Sequence, residues 1–279
     1  MNENTHTHRS LLQKLIAAPY IVWMIVFIIV PLAMVAYFAL TNNDGAFTLE
    51  NMKNVWQYAD IFVKSIWLAA IATVICLFIA YPAAYIFSRM GTNIQSTLLM
   101  IVILPMWMNF LLRTYAWMTI LGNNGLINSF LGLFGIEPLK LLNTKGAVVL
   151  GMVYNYLPYM ILPLYTVMVK IDKSVLEAAQ DLGCNSLKTL AKVILPLSIP
   201  GITSGITMVF VPAISTFIIS RMLGGGSQLL IGDLIEMQFL GNSYDPNLGS
   251  AISLVLMVIV LVIMTVMNQF DTDDDKVLM

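Results

Sequence analysis

The sequence predicts an all-α polytopic membrane protein with six transmembrane helices, and three observations carry that reading. The 279 residues are 59% hydrophobic and 10% charged, with a mean hydropathy of +0.84, whereas a globular domain carries about 25% charged residues to solvate its surface. Six stretches are apolar over about 20 residues, the length at which a helix crosses a hydrocarbon core of roughly 30 Å. The basic residues between these stretches alternate in density, which orients the chain.

The spans are expected at residues 19–40, 65–88, 97–121, 146–169, 199–220 and 249–268. The first follows a short basic region like that of a secretory leader, but its apolar run exceeds the roughly 7–15 residues of a leader's core, so it reads as a retained span. Arg9, Lys14, Arg89, Lys170, Lys173, Lys188, Lys192 and Lys276 then fall on one side, against Lys53, Lys64, Lys140, Lys145 and Arg221 on the other. Cytoplasmic loops are the richer in Lys and Arg. Residues 1–18, the loop 170–198 and the acidic tail 269–279 are therefore expected in the cytoplasm, with 19–268 as the transmembrane domain. On the opposite side lie a polar connection with an Asn42-Asn43-Asp44-Gly45 turn cluster, a short interfacial helix at 126–134, and a Gly224-Gly225-Gly226 break before a 12-residue segment, 229–240, too short to cross.

Prolines at 31, 82, 105, 158, 163 and 212 interrupt the spans, and lipid tolerates the freed carbonyls only where protein or a water-lined cavity satisfies them. Arg113 is the ionisable residue placed deepest, and no Asp or Glu falls within the six spans. A guanidinium at that depth costs roughly 2.5–3.5 kcal/mol on insertion scales, so it must be paired, face water or snorkel to the interface. Asp233 and Glu236 sit three apart on one helical face, readable as a cation-attracting entrance or as polar residues at the membrane rim.

Enzymatic readings find little support. The two histidines, His6 and His8, lie in the N-terminal segment, and no GxxxxGK[ST] phosphate loop occurs. Cys76 and Cys184 fall at different depths, so no disulfide is expected, and no metal or cofactor is implied. Any energy for transport has to come from a partner. An ion-coupled carrier typically holds acidic residues or histidine within its spans, which makes that class the outside alternative.

One polar island stands out. In LEAAQDLGCNSLKTLAKVILPLSIP, residues 176–200, Ser174 and Glu177 have the spacing of a capping box, Gly183 suits a left-handed helix end, Ser186 suits a second cap and Pro196 a stop. Glu177-Ala178-Ala179, three residues, Gly183, nine residues and then Val193-Ile194-Leu195-Pro196 resembles the EAA loop of bacterial ABC importer permeases, with Val193 where that pattern has Ile. The resemblance implies the MetI-like permease fold and assigns Glu177, Ala178, Ala179, Asp181, Gly183, Leu195 and Pro196 to coupling with a cytoplasmic ATPase. The runs around LPMWMNFLLRTYAW (104–117), NYLPYMILPLY (155–165), KIDKSVLEAAQDLG (170–183) and GGGSQLLIGDLIEMQFL (224–240) resemble the spermidine/putrescine importer permeases, specifically the first of their two permease subunits. That implies a second permease subunit, two copies of an ATPase subunit and an extracytoplasmic substrate-binding protein. Another small organic cation or a phosphonate is the alternative cargo. Aromatic faces attract ammonium groups by about 0.5–2 kcal/mol, so Trp107, Tyr115, Trp117, Tyr154, Tyr156 and Tyr159 are candidates for a translocation path, together with Asn109 and with Arg113, whose charge a partner chain neutralises or which acts as a gate. Membrane aromatics also form interfacial belts and pack between helices. The i, i+2, i+5 spacing of the tyrosines would need unwinding near Pro158 for all three to share a face.

Overall fold

The computed structural model describes residues 18–241 and 243–274. Within them the chain is helical, with one isolated bridge, Thr41 to Phe47. The described residues fall into two units, 18–58 with 237–241 and 243–258, and 59–236 with 259–274.

The first unit begins with α1, Ala18–Ala39. It passes through a π turn at Ile25–Ile29 just before Pro31, a wider turn that accommodates the missing N–H. Its large apolar side chains, from Tyr20 to Tyr37, are exposed, as befits a helix solvated by hydrocarbon rather than water. Beyond it, the Asn42 side chain accepts from the Asp44 and Ala46 amides and Asn51 of α2 (Glu50–Asn54) donates to the Ala39 and Thr41 carbonyls. These bonds close the turn cluster. Asn247 donates to Asn43 Oδ1 at 2.8 Å.

In the second unit, α3 (Ala59–Arg89), the central helix α7 (Lys145–Met168) and α10 (Ile199–Ile214) pack against one another. The contact is close because the facing residues are small. Ala69, Ala72, Cys76, Ala80 and Ala84 of α3 are fully buried at helical spacing. On α10 a Cβ at Gly205 would fall 2.6 Å from Met160 Sδ. Small residues let helix backbones approach where no hydrophobic effect draws helices together. Polar bonds then fix the register: Tyr81 Oη pairs with Ser198 Oγ at 3.0 Å, and Arg89 donates to the Ile171 and Met168 carbonyls, a cation on the negative end of α7.

The expected spans need three corrections. The third, 97–121, is not one straight helix: α4 (Thr92–Ile103) runs through a 3-10 turn, Leu104–Trp107, and breaks before α5 (Phe110–Leu121) with a 90° bend. Pro105 and the extended Met108 end the first piece, and Asn109 Oδ1 accepts from the Leu111 amide to start the second. The fifth stops at Ile214 rather than 220, and α11 (Ile218–Gly224) begins separately. No unwinding occurs at Pro158, since α7 is continuous through Pro158 and Pro163. The interfacial helix appears as α6, Leu126–Gly132. Among the described residues, four helices are long and apolar enough to cross a membrane, and up to six spans result if each of two bent pairs counts as one.

Candidate functional site

The loop after α7 folds as two short helices at a glycine corner. The first, α8, is Lys173–Asp181. Its cap is Asp172 and not the Ser174–Glu177 box: the Asp172 carboxylate accepts from the Ser174 amide at 3.0 Å, which holds its pKa below the usual carboxylate range. Capping two residues earlier leaves the Glu177 carboxylate exposed. Gly183 adopts φ +81°. Its amide donates to Gln180 O at 2.8 Å and that of Cys184 to Ala179 O at 3.0 Å, the paired bonds of a Schellman ending.

The second helix, α9 (Ser186–Leu197), is capped by Asn185, whose Oδ1 accepts from Lys188 N at 2.9 Å; Ser186 lies inside it. Nor does Pro196 stop the helix. A π turn at Leu190–Ile194 precedes it, and the chain bends by 68° only after Leu197. Ala179 is buried, whereas Glu177, Ala178, Asp181, Gly183, Leu195 and Pro196 are exposed. The corner presents Leu182 at 86% and Leu187 at 75% exposure, two large apolar side chains beside Lys188 and Lys192.

The candidate path residues separate into groups. Trp107, 79% exposed, lies at the break that Asn109 caps. Arg113 is 8% exposed, its Nε and Nη1 lack hydrogen-bond partners among the described residues, and its guanidinium lies 5.8 Å from the Phe110 ring centroid. Tyr115 is exposed on the same helix. Trp117 meets Tyr154 edge to face at 5.3 Å, and Tyr156 tilts against Tyr159 at 6.4 Å. Tyr156 is buried and donates to Pro212 O at 3.3 Å, satisfying one of the last carbonyls of α10. Asn155 is buried, donating to Gly151 O while its Oδ1 has no partner.

Asp233 and Glu236, on α12 (Ile231–Leu240), do not form a pair of free carboxylates. Glu236 is held by both terminal nitrogens of Arg221, an attachment that raises the Arg221 pKa. Asp233 is 4% exposed, accepts from Leu230 N at 2.9 Å and is pushed above the usual carboxylate range by burial. Sequence reasoning passed over Asp172, Asn185, Asn128 and Arg89, although an Asx residue just ahead of an apolar-periodic run is a cap signal. Asn128 clamps the loop after α6 by bonding both the amide and the carbonyl of Leu139.

Apolar helices of crossing length, joined in part by an exposed two-helix corner, define a polytopic membrane protein. The chain belongs to the family of binding-protein-dependent transport system inner membrane components, whose model matches residues 80–272, and is a permease subunit of an ABC importer rather than an enzyme. It is 39% identical over 264 residues to the spermidine/putrescine transport system permease protein PotB of Haemophilus influenzae, covering 91% of this chain and 92% of that protein. Its fold matches a subunit of a bacterial ABC transporter involved in the import of the acidic polysaccharide alginate, with TM-score 0.82 at 15% identity over 96% of this chain and 98% of the other. A second crystal structure, of a bacterial alginate ABC transporter in complex with alginate pentasaccharide-bound periplasmic protein, gives TM-score 0.81 at 14% identity over 96% of both chains.

Proposed function

We propose that this permease forms half of the transmembrane channel of an ATP-driven polyamine importer, pairing with a second permease subunit, two ATPase subunits and an extracytoplasmic binding protein that delivers spermidine or putrescine. The carrying observation is the loop 170–198: two capped helices meet at left-handed Gly183 and hold Leu182 and Leu187 out of the fold. Exposed apolar side chains on a polar loop are surface awaiting a partner, and a cytoplasmic ATPase is the partner this family requires. Six spans put the loop and both ends inside, each bent pair counting as one span. The path follows the broken third span and the face of α7 that carries Tyr154, against which Trp117 packs; Tyr159, five residues on in a continuous helix, lies on another face. The likeness to the Haemophilus permease supports a polyamine cargo, as does the supply of aromatic faces at Trp117, Tyr154 and Tyr159, which attract ammonium groups and release them. Arg113 is the positive element of that path, Glu177 and Asp181 are the polar contacts of the loop with the ATPase, and Asp233 and Glu236 frame the outer rim. The test is uptake by proteoliposomes holding the complete transporter. Labelled spermidine or putrescine enters only with both the binding protein and ATP. Uptake driven by an ion gradient without ATP contradicts the assignment.

A further inference from the structure

Lys64 and Lys145 stand at the mouth of a groove between α3 and α7, a cavity of about 620 Å³ whose other walls are apolar. From Lys64 the α3 wall descends through Trp67, Ile71, Ile75 and Ile79, 15 residues or about 22 Å of helix at 1.5 Å per residue. Lys145 opens the first turn of α7, where the helix dipole adds positive potential. No acidic residue lines the groove, and Trp67, Ile75 and Ile79 are exposed along it. We propose that this groove binds one anionic phospholipid, its phosphate bridging the two ammonium groups and an acyl chain lying along the isoleucines.

Charge and size both select that occupant. Two like charges at the head of an otherwise apolar trough are stabilised by an anion between them, and lysine stems suit this place because they pack along hydrocarbon while the heads stay polar. The cavity falls within the roughly 300–1,000 Å³ of single small-ligand sites, too little for a second transmembrane helix, which is about 10–12 Å across. Asp233, buried on α12, offsets part of the Lys64 charge but leaves Lys145 without a counter-charge, and a zwitterionic headgroup, which brings its own cation, does not supply one.

The test uses the complete transporter in mixed micelles of phosphatidylglycerol and phosphatidylcholine, with native mass spectrometry counting the lipids retained. One phosphatidylglycerol stays bound and phosphatidylcholine does not displace it. The double variant Lys64→Gln, Lys145→Gln weakens retention about 25-fold, fivefold per lysine, which corresponds to ~1 kcal/mol each. The double variant Lys64→Arg, Lys145→Arg keeps it, and Ile75→Trp, which fills the trough with both lysines intact, weakens it as well. Equal retention by the glutamine variant, or equal binding of both lipids by the parental transporter, overturns the proposal. So does a cross-link from an Ile75→Cys variant to the second permease subunit, which would make the groove a protein interface. Lipid retention is read without substrate, so the result stands apart from the polyamine assignment.

Discussion

Gly183 holds φ +81° with nothing within 4 Å of where a Cβ would sit, so any cost of a side chain there is backbone strain alone. Gly183→Ala should destabilise the corner by about 1–2 kcal/mol, with Gly183→Asn milder because Asn tolerates the left-handed region. Membrane levels stay near parental while ATP-driven uptake falls, in that order of severity. Asp172 makes a pH-dependent cap. Its pKa is lowered in the folded loop, so the cap is present above the ordinary carboxylate range and is lost as pH falls through the lowered value. Hydrogen exchange of the α8 amides, corrected for intrinsic rates, should therefore show constant protection near neutral pH and a severalfold loss in acid. Asp172→Asn should keep that protection at both extremes, because an amide oxygen caps without titrating.

The third span and α7 carry opposite lessons about proline. Pro105 coincides with a 90° break, whereas Pro158 and Pro163 sit inside a continuous helix. What separates them is local: Asn109 offers a new cap just past Pro105, while α3 and α10 pack along α7. Asn109→Ala should cost about 1 kcal/mol and speed exchange in the first turn of α5, whereas Asn109→Asp preserves the cap. Among the tyrosines, Phe at 154 or 159 keeps the aromatic face and should leave uptake near parental, while Leu at either position lowers it severalfold. Tyr156→Phe differs, since it frees the Pro212 carbonyl and should cost about 1 kcal/mol in thermal stability. Equal uptake by the Phe and Leu series would assign these rings to packing.

The broad plan of the molecule was legible in the sequence because apolar length and composition follow directly from hydrocarbon solvation, and helix is how a single apolar segment satisfies its backbone there. The corner at Gly183 was legible for a similar reason, since the backbone there favours one residue type. The caps were misplaced by one or two residues because two oxygen-bearing side chains stand at each helix start, Asp172 and Ser174 at one and Asn185 and Ser186 at the other, and only geometry decides which accepts from the first-turn amides. Likewise, spacing grouped Asp233 with Glu236, but the fold gives Glu236 to Arg221 and buries Asp233. The expectations for residues 1–17 and 275–279 lie outside the described residues.

At the scale of the whole molecule, the central claim is that the corner carrying Leu187 faces a cytoplasmic ATPase. The direct measurement places a single cysteine at Leu187 in a Cys76→Ala, Cys184→Ala background, within cells holding the complete transporter. An impermeant thiol reagent added outside should leave it unmodified. In inside-out vesicles the same reagent should label it slowly with the ATPase bound and at least tenfold faster once the ATPase is stripped away. Labelling from outside, or equal rates with and without the ATPase, would contradict the account.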